Sequence, residues 1–184
     1  MQLSRKLKIV GALGVLSSAV WASTYATFTD SATATSTFTA GTVDLVLNGD
    51  TSDAYAFTSL QSSNLKPGDV VYAPLTVANT GSLGFSYTMA SSSTNADAKA
   101  LRDTLQLGAK VVANAGACDA TGYSNSGTTA MAEGAISAAA ISSRTLSASG
   151  SEVLCFRVQL PSNAGDSLQA ATTTTTMTFS ATQS

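Results

Sequence analysis

Two cysteines, Cys118 and Cys155, and eleven carboxylates spread along 184 residues are the side chains here that could do chemistry. There is no histidine. A zinc peptidase needs imidazole ligands and a carboxylate base, commonly as H-E-x-x-H, so that chemistry lacks its residues. Serine and cysteine nucleophiles lose their usual route for the same reason, since no imidazole can take the proton. Asp50, Asp53, Asp69 and Asp166 stand in turn sequences, where shaping the turn accounts for them. NGDTSD at 48–53 could offer oxygens to calcium but lacks the further ligands of a loop site, so no metal and no cofactor are expected. Two cysteines without histidine are too few donors for closed zinc; in an oxidising compartment they are expected to form one disulfide.

The compartment is read from the first 26 residues. Arg5, Lys6 and Lys8 precede an apolar stretch at 9–22 that is interrupted by Gly11, Gly14, Ser17 and Ser18. It falls short of the ~20 apolar residues of a membrane span and has the layout of a secretory signal. Thr24 and Ala26 fit positions −3 and −1 of a cut that leaves Thr27 first. Cutting after Ala22 is the alternative, and an uncleaved anchor the third reading. Removing the signal leaves 6 basic residues against 11 acidic, a net charge of −5. The remaining cations, Lys66, Lys99, Arg102, Lys110, Arg144 and Arg157, are scattered. Nucleic acid is therefore not an expected partner, and membrane contact is expected only through the uncleaved signal. LPSNAG, beginning at Leu160, resembles a sortase signal only superficially, because no apolar tail or basic end follows it.

The elements that would position these residues are strands. TVDLVLNGD places Val43, Leu45 and Leu47 on one face and ends in an Asn-Gly-Asp turn. AYAFTSL predicts a second short strand with Tyr55 and Phe57, and 70–78 and 85–91 predict two more. Pro74 has no N–H, so its strand should lie at an edge or carry a bulge. Around 95–105, Ala98, Leu101 and Leu105 fall at helical spacing, with Asn95 or Asp97 as a cap. A strand at 107–112 follows. Residues 113–151 are Gly, Ser and Ala rich and are the one candidate for disorder. EVLCFRVQLP is the strongest strand, with Leu154, Phe156, Val158 and Leu160 on one face, and the chain closes on a Thr-rich strand with Met177 and Phe179 inward. The expectation is an all-β chain: a jelly-roll or immunoglobulin-like sandwich with one short helix, preceded by a signal peptide. Its parts are a signal at 1–26, an N-terminal strand at 27–40 and the sandwich at 41–184.

The segment 27–40 is thin for a strand. Phe28, Ala32, Ala34 and Phe38 share one parity and threonines fill the other. It contributes little core of its own, so it reads as a strand made to fit a groove elsewhere. Cleavage would free it, the two phenylalanines would anchor its ends, and Gly41 would be its hinge to the body.

The signal ending in TYATFTDSATATSTFTAGTVDL, the block LKPGDVVYAPLTVANTGSLGFSY and the late VLCFRVQLP with its Thr-rich final strand resemble the SipW-dependent exported proteins, the TasA, CalY and camelysin family. The Thr-rich composition and paired cysteines are similar to an actinobacterial branch of it. The resemblance implies a jelly-roll sandwich, export through a dedicated signal peptidase, and assembly into extracellular matrix fibres by strand donation. It also carries a metallopeptidase label that a chain without histidine does not support. The expected function is a non-enzymatic secreted subunit of fibres or surface appendages that partners with itself. The alternative is a monomeric secreted adhesin or glycan-binding sandwich. The latter usually displays exposed aromatics, and Trp21, the sole tryptophan, lies in the signal.

Overall fold

Leu154, Phe156 and Val158 lie on one face of the strand that organises the protein, and the rest of the core assembles on them. A computed structural model of the chain describes residues 33, 35–52 and 54–184. The chain divides into two compact units, Met1–Phe38 and Thr39–Ser184. In the second, the elements run β1 (Leu45–Leu47), β2 (Val70–Asn79), β3 (Phe85–Ser93), α1 (Leu101–Thr104), β4 (Gln106–Val112), α2 (Ala120–Asn125), β5 (Thr129–Ala135), β6 (Ala140–Leu146), β7 (Ser151–Gln159) and β8 (Thr175–Gln183). One sheet has the order β1-β2-β7-β4-β5 and the other β6-β3-β8, with every neighbouring pair antiparallel. Leu75, Val77, Leu107, Leu154 and Phe156 of the first sheet meet Phe85, Tyr87, Met89 and Ile141 of the second in one core. The all-β sandwich expected from alternation is the fold observed.

Pro74 is tolerated because its edge is locally open. β1 pairs only with Val77–Asn79, while β7 runs the length of β2. Thr76 N and O both engage Asn48 on the β1 side. Backbone direction alternates, so position 74 turns its nitrogen the same way, beyond the end of β1, where no partner is needed. The Asn-Gly turn also forms as read, with φ positive at Asn48 (50°) and Gly49 (78°), as a tight hairpin turn requires.

Several expectations need correction. AYAFTSL is not a strand. Thr58–Leu60 is a 3-10 turn, and Tyr55 and Phe57 instead lay their rings on the core, Phe57 edge-on to Phe156 at 5.6 Å. Two alternating aromatics suit a plug as well as a strand, and among the described residues this segment pairs with no strand. Val43 lies outside β1 and is exposed, whereas Leu45 and Leu47 pack on the core. Among the described residues there are two short α-helices rather than one. Residues 113–151 are ordered into α2, β5 and β6, because Met131, Ile136, Ile141 and Leu146 are buried in the core despite the Gly/Ser/Ala composition around them. The cap expected at Asn95 or Asp97 is replaced by Ala100 at φ 58°; Asn95 Oδ1 accepts from Ala100 N, and Asp97 takes Lys99 N and Thr172 N.

Candidate functional site

Phe38 is 91% exposed, and the described residues of 33–40 belong to no strand. Ala26, Thr27, Phe28, Ala32 and Ala34 lie outside the described residues. Gly41 stands where a side chain has no room: an added Cβ would lie 2.4 Å from Leu83 Cγ.

A donated strand needs an unpaired edge, and the edges of the two sheets differ. β1 is three residues long. The open stretch of β2 carries Pro74. Register breaks interrupt β5 against β4 and β6 against β3. Each is a device that blunts an edge. β8 has none of them. Its nine residues, TTMTFSATQ, include no charge and no proline, and pair with β3 without a break from Thr175 to Gln183. Its inward row of Met177, Phe179 and Ala181 is only half-buried, beside β3 residues Phe85, Tyr87 and Met89 that are at most 1% exposed. Among the described residues the core is thus left partly uncovered along an edge whose outward main-chain donors and acceptors pair with no strand.

Several ionisable groups elsewhere are committed to structure. Glu152, on the inward row of β7, accepts from Tyr87 Oη at 2.7 Å and Arg144 Nε at 2.8 Å, and Arg144 Nη2 pairs with its other oxygen. Tyr87 and Arg144 are cross-strand neighbours in the second sheet, so this cluster ties the sheets together. Burial pushes the Tyr87 phenol well up, and Glu152 adds to it; the bond to Glu152 raises Arg144. Nothing in the cluster is poised as a nucleophile. Asp50 accepts from Ser52 N, Asp69 from Lys66 N and Asp119 from Gly122 N. The bond from Ser52 N holds the Asp50 carboxyl below its usual value.

Cys118 and Cys155 form the disulfide that the compartment argument expects. Cys155 is fully buried on the face of β7 turned away from the core, where Val112 and Tyr123 pack around it and the ring of Tyr72 meets that of Tyr123 at a tilt, 5.7 Å between centres. The bridge pins α2 against the outer face of the five-stranded sheet. Sequence reasoning missed both the β8 edge and the Glu152 cluster. The signals were a long strand without charge, and an acidic residue on the inward parity of the strongest strand.

The family model described as camelysin metallo-endopeptidase matches residues 2–115. No curated protein matches the chain. The family description implies a metal, and the donors do not fit one. The chain has no histidine, both cysteines are in the disulfide, and among the described residues no three Cys, Asp or Glu come together to hold an ion. The match nevertheless spans more than half of the sequence, and on that ground the chain belongs to the camelysin family.

Proposed function

We propose that this protein is a non-enzymatic, secreted structural subunit that builds extracellular fibres by donating residues 27–40 to the β8 edge of a second copy. Membership of the camelysin family fits a secreted, biofilm-related protein. The observation that carries the finer reading is the unguarded β8 edge with its half-buried apolar row. A strand laid there gains a ladder of main-chain hydrogen bonds, each about 0.5–1.5 kcal/mol net. Phe28 and Phe38 share a parity, so both can face the uncovered flank, for roughly 1.5–3 kcal/mol each if fully buried. Ala32 and Ala34 between them let the backbone lie close. Release by signal peptidase between Ala26 and Thr27 frees the segment, because a tethered strand cannot thread into a neighbour.

Removing residues 27–40, or replacing Phe28 and Phe38 by Asp, is expected to leave a folded, disulfide-bonded monomer that negative-stain microscopy shows without fibres. Ala181→Lys is expected to stop elongation from the acceptor side, as a charge on the inward row of an edge strand does. Its side chain can still reach water in the monomer. Normal fibres from the truncated protein would refute donation by this segment.

A further inference from the structure

Residues 42–44 join the sandwich almost entirely through hydrogen bonds. Thr42, Val43 and Asp44 are exposed, and substantial burial starts at Leu45. Five hydrogen bonds nevertheless hold these three residues to the loop at 80–83. Thr42 N donates to Ser82 Oγ (2.9 Å), Ser82 N to Thr42 Oγ1 (3.3 Å) and Leu83 N to Thr42 O (3.0 Å). Thr80 donates twice to Asp44, from N to the carbonyl (3.0 Å) and from Oγ1 to Oδ2 (2.6 Å).

The loop is itself fixed from beneath. Asn79 is 1% exposed and uses both ends of its amide: Nδ2 donates to Leu83 O (2.8 Å) and Ser147 O (3.0 Å), and Oδ1 accepts from Gly81 N (3.0 Å). Its own main-chain N–H is held by Gly150 O. The fit leaves no slack. A Cβ at Gly81 would stand 2.4 Å from Thr42 O, in addition to the contact already described at Gly41. Attachment alone does not call for this network, since Leu45 and Leu47 pack on the core and β1 pairs with β2. A satisfied buried polar network specifies one geometry.

We infer that Asn79, Gly81 and the hydroxyls of Thr42, Thr80 and Ser82 form a socket that fixes where, and in which direction, the chain leaves the sandwich at Gly41. These are positioning residues for assembly, and the inference rests on the strand-donation reading above. A chain leaving through a loose joint would sample many directions, most of them unproductive. A fixed exit removes that ordering cost from each capture step.

The triple variant Thr42→Val, Thr80→Val, Ser82→Ala removes the three side-chain bonds and keeps the two main-chain ones. Amide exchange and thermal unfolding of the mature monomer, with elongation from wild-type seeds, read the result. In the unaltered protein the amides of Thr42, Ser82 and Leu83 are expected to be protected. The variant should lose protection at Thr42 and Ser82, unfold less than about 5 °C lower, and elongate about tenfold more slowly. Ser82→Ala alone, with a smaller loss of rate, serves if the triple variant does not fold. Elongation at the wild-type rate after protection is lost overturns the socket's role, and so do unprotected amides in the unaltered protein. Protected amides in a wild-type protein that makes no fibres overturn strand donation instead, and the socket's role in assembly falls with it.

Discussion

Glu152 shares its strand parity with Leu154, Phe156 and Val158, and a carboxylate on an inward row must find donors there. That much is legible in the sequence. Its partners are not, because Tyr87 is 65 residues away and reaches it only once both sheets are in register. Burial and Glu152 push the Tyr87 phenol up, and burial, followed by the charge of Glu133, pushes Tyr123 up to about 12. A folded-state pKa above the unfolded value means stability that is complete below about pH 10 and lost as pH rises through the folded value. Absorbance titration of the native protein should therefore leave two phenols un-ionised at pH ~11, where the urea-unfolded chain has ionised nearly all of its tyrosines. Native and unfolded curves that coincide would contradict the burial of this cluster.

At the scale of elements, alternation located β2, β3, β4, β7 and β8 because each turns an alternating apolar row to the core. It failed at AYAFTSL, where the aromatics plug the core without pairing to a strand. It failed again at 113–151, where small residues hide buried positions such as Met131 and Ile141. There the disulfide does part of the ordering that composition does not advertise. Closing a loop with 37 residues of separation is worth about 4 kcal/mol on the chain-entropy model. Cys118→Ser paired with Cys155→Ala should lower the thermal midpoint and loosen α2, with faster amide exchange around Tyr123. The strand content should persist, because the main core owes nothing to the bridge. Loss of the β spectrum in that variant would mean the sandwich depends on its staple.

For the molecule as a whole, the sequence made the sandwich and the absence of imidazole chemistry readable. The unguarded edge to which the proposed donation is assigned became visible only with the strand order. TTMTFSATQ looks like any half-buried strand until β8 is found, among the described residues, with a neighbour on one side alone. The camelysin name carries a metallopeptidase label, while the donors that a metal site would use are missing or committed: no histidine, cysteines locked together, and carboxylates such as Asp50, Asp69 and Asp119 occupied with backbone N–H groups. Strand donation to β8 is the central claim, and cross-linking in fibres grown from an equal mixture of 14N- and 15N-labelled mature protein tests it directly. With a photo-reactive residue in place of Phe38, the account predicts cross-links between the N-terminal segment and the peptide holding residues 175–183, half of them of mixed isotope. Cross-links confined to single-isotope pairs, or landing away from β8, would contradict it.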